Sequence, residues 1–188
     1  MSHPHELPVG ICKVCAKEFI RTNSMHIVCG RVCAARIPVF NRKDEKAKTA
    51  AAREALKTLP DLRKEAQESF NAFIRTRDEG KPCICCGGFP KSYSLTGGEW
   101  DAGHYRSRGA AIELAFDEHN CHAQLKHCNR RAWDVASYRR NLIDRIGLAA
   151  VENLEGHHEA KKYSRDDMRE IRDYYRAKKR ALDRERRA

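Results

Sequence analysis

A small α+β fold, held by side-chain cross-links more than by a large apolar core, is what this sequence predicts. Three observations predict it. The chain has 188 residues, 34% of them charged and only 7% aromatic, so the core it can bury is modest. Its nine cysteines fall into two groups, Cys12 to Cys33 and Cys83 to Cys128. Segments with helical periodicity flank a central region, 81–133, rich in Gly, Cys, His and Asn, where short strands are expected.

Charge and termini narrow the class. The formal charge is +11 and the isoelectric point about 9.4, which argues for a polyanionic partner. No apolar run approaches the ~20 residues of a membrane span. The opening MSHPHELPVG has neither a basic n-region nor an apolar h-region, so no secretory signal is expected there. An odd cysteine count without such a signal points to a reducing cytoplasm and to thiolate metal sites rather than disulfides.

Residues 1–37 read as a zinc module. Cys12-x2-Cys15 and Cys29-x3-Cys33 are two close pairs that can converge four thiolates on one Zn²⁺. His26 is an alternative ligand, but the four cysteines already complete the shell. Residues 38–60 are rich in Ala, Lys, Arg and Glu without a wide apolar face, which predicts a solvated helical linker. Pro60 is expected to break it and Asp61 to cap a new helix, with Leu62, Ala66, Phe70, Phe73 and Ile74 as its buried stripe and Gly80 as its end.

The core, 61–160, continues with a second thiolate group. Cys83-x2-Cys86 before Gly87-Gly88 has the form of a zinc knuckle, with Cys85 left out of the shell. Cys128 is the third ligand, and Cys121 and His127 compete to be the fourth. Strands are expected at Glu99–Ser107 and Glu113–Asp117, and a short helix after Asn120. Helical periodicity returns over 134–154 and stops or kinks at Gly147. The last segment, 161–188, is a basic helix with Ser164 and Asp167 as its capping pair and Met168, Ile171, Tyr175 and Leu182 on one side. Two basic stretches flanking a Cys/His centre favour nucleic-acid contact over a merely solvated helix end.

His104, Asn120 and Asn129 define the candidate chemistry. A strand bearing His, a turn bearing Asn and a zinc-knuckled helix bearing Asn have the layout of an HNH, or ββα-metal, nuclease site. A neutral imidazole can take a proton from water at pH 7, while a divalent cation offsets the charge growing on the phosphate. Mg²⁺ prefers few protein oxygens and keeps several waters, which Asp101 and an Asn oxygen suit. A lone His beside Gly is more often structural. Its weight here comes from the thiolates on either side.

Over residues 70–154 the chain resembles the bacteriophage NinG (Rap) family of recombination endonucleases. The matching stretches are Phe70-Asn71-Ala72-Phe73-Ile74-Arg75, Pro82-Cys83-Ile84-x-Cys86-Gly87, Trp100-Asp101-Ala102-Gly103-His104-Tyr105-Arg106-Ser107, Phe116-x3-Asn120-x-His122-x-Gln124, Cys128-Asn129, Tyr138-Arg139 and Leu142–Gly147. The resemblance implies a phage-encoded endonuclease in the host cytoplasm. It would cut branched DNA such as Holliday junctions and D-loops with Mg²⁺ or Mn²⁺, beside structural Zn²⁺. His104 would be the general base, Asn120 would orient it or hold its loop, and Asp101, Asn129 and His122 would lie on the metal side. Arg106, Arg108, Arg130 and Arg131 would meet DNA phosphates. Symmetric junction cutting would favour a homodimer.

Three positions depart from the family pattern. Leu125 stands where a second Cys-x2-Cys commonly begins, Arg130–Asp134 replaces a Gly-Asn, and Gly103 rather than Asp precedes His104. The rival expectations are a non-catalytic zinc DNA-binding or recombination-adaptor protein, and a nickase of another phage process such as packaging.

Overall fold

Two units divide the chain, Met1–Lys57 and Thr58–Ala188. The computed structural model describes residues 8–90, 98–130 and 134–188. No helix among them is long and apolar enough to cross a membrane.

In the first unit, β1 (Val9–Ile11) pairs antiparallel with β2 (Glu18–Ile20), Gly10 facing Phe19. Cys12-x2-Cys15 forms the turn between them, closed by Ala16 N–H to Cys12 O at 2.9 Å and Cys12 N–H to Lys17 O at 2.8 Å. Cys12, Val28 and Cys33 are buried, with Val14, Phe19, Ile27 and Ile37 packed around them. Helix α1 (Arg31–Leu56) starts inside this module, with Cys33 in its first turn, and passes through Pro38. The expected boundary at 37/38 therefore falls within one continuous helix. Past Ile37 its described side chains are almost all exposed, and ion pairs such as Lys48–Asp44 at 3.4 Å lie on its surface. Such pairs contribute only about 0.3–0.5 kcal/mol each.

The second unit opens on α2 (Leu59–Arg77). Pro60 does not break the helix; it occupies the first turn, where its missing N–H costs nothing. The cap is Thr58 rather than Asp61. Thr58 Oγ1 accepts from Asp61 N–H while the Asp61 carboxylate accepts from Thr58 N–H at 3.1 Å. The predicted stripe is buried as a whole: Leu62, Ala66, Phe70, Phe73 and Ile74. Burying each large member stabilises by roughly 1.5–3 kcal/mol. Its partner is α6 (Arg165–Glu185), capped by Ser164 and Asp167. Met168 packs with Leu62 and Ala66, and the Tyr175 ring lies 4.8 Å from Phe70 and 5.2 Å from Phe73. The apolar side of this basic helix is thus core within the unit.

The centre differs from expectation in two respects. β3 (Trp100–His104) forms inside the predicted Glu99–Ser107, but its partner β4 is Cys121–Leu125, where a helix was expected, and Ile112–Leu114 is a 3₁₀ turn, where a strand was expected. β4 reads Cys-His-Ala-Gln-Leu, an alternation of apolar and polar residues, yet both of its faces are buried. Asp117 turns the chain into it, accepting from His119 N–H at 2.7 Å. Helix α3 (Lys126–Arg130) follows directly, then α4 (Val135–Ile146), capped by Asp134, and α5 (Leu148–Glu155), with Gly147 at φ +87° between them. Tyr138 and Leu142 of α4 join Ile84, Tyr105, Leu114, Val151 and Leu154 in a second core, and Tyr138 Oη donates to Gly103 O at 2.9 Å.

Gly103 is required by close approach. A Cβ there would lie 2.9 Å from Gln124 Cβ and closer still to its amide oxygen. Gly103→Ala is expected to cost about 1–3 kcal/mol, read as a lower urea midpoint at unchanged slope.

Candidate functional site

Two thiolate clusters frame the chemistry. In the first, the sulphurs of Cys12, Cys15, Cys29 and Cys33 all lie within 4.8 Å of one another. Sγ of Cys29 is 3.5 Å from that of Cys15 and 3.6 Å from that of Cys33. Burial pushes the Cys12 thiol up, but the N–H groups of Cys15, Val14 and Cys29 outweigh it and bring it down to about 6. Cys33 is pushed up to about 12, first by its contact with Cys29. A thiol ready to ionise beside one that resists is what crowded sulphurs do without a cation; a bound cation lets all of them ionise. This group can hold a metal such as zinc. His26 is not part of it, since its Nδ1 faces Thr22 Oγ1 at 3.0 Å.

The second cluster comprises Cys83, Cys86 and Cys128, also mutually within 4.8 Å. The knuckle closes through Cys83 N–H to Gly88 O and Gly87 N–H to Cys83 O, both 2.9 Å, with Gly87 at φ +68°. Leu125 N–H donates to Cys83 Sγ at 3.3 Å, tying β4 to the knuckle. Cys121 is not a ligand here. It is fully buried on the α2 side of β4, its thiol 3.7 Å from His104 Nδ1. His127 is exposed and is not among the grouped donors either.

Alternation along β3 puts His104 and Ala102 on one face and Asp101 and Gly103 on the other. The His104 ring turns inward. Its centroid is 5.9 Å from that of Phe70, and its Nε2–H donates to Ala115 O at 3.0 Å. Burial holds the imidazole below its usual range against the Ala115 carbonyl, and the Arg108 guanidinium adds to that, so the ring is neutral at pH 7. On the opposite face Asp101 and Asn129 meet, Asn129 Nδ2 donating to Asp101 Oδ2 at 3.1 Å, with Arg130 Nε 3.7 Å from the same oxygen. The structure therefore brings Asp101 and Asn129 together but leaves the His104 ring on the other side of the strand.

Asn120 is fully buried and bridges the loop. Its Oδ1 accepts from Arg106 N–H at 2.7 Å, and its Nδ2 donates to Arg106 O and Leu114 O, both at 3.0 Å. Those bonds hold the segment just after His104 against the start of β4. His122 is not available to a metal. Its Nε2–H donates to His119 O at 3.1 Å, and its Nδ1 accepts from Arg77 Nη2 at 3.0 Å. Arg106 is half-buried and reaches Glu155 O, whereas Arg108 and Arg130 are exposed. Arg131 lies outside the described residues.

Sequence reasoning missed two groups. Asp78, fully buried, is the hub of an ion cluster joining α2 to β4, and Gln124 lies buried over Gly103 with both amide atoms unpartnered among the described residues. An Asp after Arg at a helix end reads as ordinary polar surface, and nothing in the sequence separates it from one.

The family model described as the bacteriophage lambda NinG protein matches residues 5–185. The chain belongs to the NinG family. It is 42% identical over 125 residues to Protein ninG of Salmonella phage P22, covering 66% of this chain and 59% of that protein. The figures are the same for Escherichia phage 933W. For Escherichia phage lambda they are 41% over 125 residues, 66% and 58%. The matched region thus spans under two thirds of these NinG relatives. No solved structure matches the chain.

Proposed function

We propose that this NinG protein is a divalent-metal-dependent DNA endonuclease of HNH type that cuts branched recombination intermediates such as Holliday junctions and D-loops in the host cytoplasm. The observation that carries the reading is the Asp101–Asn129 pair, one residue from β3 and one from α3, in a strand–loop–strand–helix unit whose loop Asn120 pins. A carboxylate and an amide oxygen are hard donors, few enough to leave a Mg²⁺ or Mn²⁺ most of its waters. A cation held there would neutralise charge developing on the scissile phosphate. Arg108 and Arg130, both exposed, supply phosphate contacts, as would Arg131. His104 is the base. The buried ring is neutral at pH 7, and to take a proton from water it leaves the Ala115 carbonyl and turns outward. Symmetric branched DNA suits two copies of the chain.

The inward His104 ring favours a second reading, a DNA-binding recombination adaptor with no chemistry at that residue. Cleavage of a four-way junction, a D-loop and linear duplex, each with Mg²⁺ and with EDTA, separates the two. His104→Ala is expected to slow junction cleavage about 10²–10⁴-fold with binding unchanged. Because the ring's pKa is lowered, the rate is expected to fall on the acid side at a lower pH than an ordinary imidazole would give. Wild-type protein that binds junctions and never cuts them makes it the adaptor. Normal cutting by His104→Ala removes that imidazole from the reaction.

A further inference from the structure

The second thiolate cluster is one donor short of a four-coordinate zinc site. Cys83, Cys86 and Cys128 converge, and among the described residues no other His, Cys, Asp or Glu joins them. Cys121 faces His104 instead. Cys85 is buried beside the trio but its sulphur is outside the group. Leu125, whose side chain packs with Cys83, Cys85 and Cys128 and whose N–H serves Cys83 Sγ at 3.3 Å, brings no donor atom to complete the shell. Zinc is four-coordinate and tetrahedral in protein sites; three protein ligands leave a position for an exogenous donor.

We propose that Cys83, Cys86 and Cys128 hold Zn²⁺ as a three-thiolate site whose fourth position is solvent-filled and open to an exogenous soft donor, a small thiol. The exposure of Cys86 gives such a ligand its approach from solvent. The first cluster, with four converging sulphurs, is closed by comparison. The chain would then carry one tightly held and one exchangeable zinc. The inference rests on the thiolate geometry alone, so failure of the nuclease assays leaves it standing, and its own failure leaves the nuclease reading intact.

The test uses the full-length protein loaded with Zn²⁺ or Co²⁺. Two metals per chain are expected, released to a chelating dye in two phases of equal amplitude, the faster at least about tenfold quicker. Titrating the Co²⁺ protein with 2-mercaptoethanol should shift the visible spectrum of one ion and not the other. Leu125→Cys places a thiol where the isobutyl group packs; it should abolish the thiol response and slow the fast phase about tenfold or more. His127→Ala should change neither. The thiol titration needs no substitution, so it decides the matter even where Leu125→Cys fails to fold. One metal per chain, two metals without a thiol response, or loss of the second metal in His127→Ala would each overturn the proposal.

Discussion

Removing metal from the Cys12–Cys15–Cys29–Cys33 cluster is expected to unfold residues 8–37. The reason is the balance of forces in that unit. Its strands are three residues each, and its buried set is Cys12, Val28 and Cys33 with four partly covered neighbours. Val9, Ile11 and Ile20 of the same hairpin remain more than 60% exposed, so they add little burial. Ordering each residue costs roughly 1–2 kcal/mol of backbone entropy, which so small a core cannot offset. A structural zinc site supplies about 10–16 kcal/mol of binding free energy at neutral pH, and that energy is folding energy. Helix α1 gains nothing to replace it, since isolated helices are marginal in water and most of this one is solvated. Chelation should therefore collapse the amide dispersion of residues 8–37 in an NMR spectrum and lower the helical circular dichroism, while signals of Thr58–Ala188 away from Cys83, Cys86 and Cys128 keep theirs. Cys33→Ser should reproduce the effect without a chelator. Unchanged dispersion in the metal-free protein would mean the core suffices alone.

What was legible in the sequence was what a short, periodic pattern encodes. The stripe from Leu62 to Ile74 packs as its spacing demands, and the cysteine pairs converge because a knuckle of two intervening residues leaves their sulphurs little freedom. Ser164 and Asp167 cap α6 by local chemistry alone. Apart from Pro60 and the Thr58 cap, which local rules govern, the failures are matters of tertiary context. β4 carries its alternation in only five residues that run straight into α3, and its polar members His122 and Gln124 are buried rather than exposed, His122 against the distant Asp78. Cys121 looked like a ligand by count, yet its place opposite His104 in the β3–β4 register points it at Phe70 and Tyr175. His122, one residue on, takes the other face and meets Asp78, as a period of two requires. The same period separates Asp101 from His104, so three residues' spacing brought the pair close in sequence and put them on opposite sides of a strand.

Asp78 is expected to be the most costly single polar residue to replace, with Asp78→Ala losing about 3–5 kcal/mol. Its side chain is fully buried and accepts from Arg77 Nε at 2.9 Å and Nη2 at 2.8 Å, from Lys81 Nζ at 3.2 Å and from Ala123 N–H at 3.0 Å. His122 Nδ1 lies 3.5 Å and Arg145 Nη1 3.8 Å away. The partners come from the end of α2, from β4 and from α4, so one carboxylate joins the three elements that frame the His104 loop. Arg77 in turn donates to Glu118 O and Cys121 O, both at 2.8 Å, so it cannot swing out when its anion is removed without abandoning β4. The loss therefore comes less from the attraction forgone than from a guanidinium left buried without its counter-charge. Burial alone would raise the Asp78 pKa, but the Arg77 guanidinium and the Ala123 N–H hold it far below the ordinary carboxylate range. A carboxylate lowered on folding stabilises fully above its unfolded pKa, near ~3.9, and that contribution drains away as the pH falls below it. Urea titrations of wild type and Asp78→Asn at a series of pH values should show a large gap at pH 7 that narrows below about pH 4. A gap that stays constant through that range would mean the carboxylate's charge is not what holds α2 to β4.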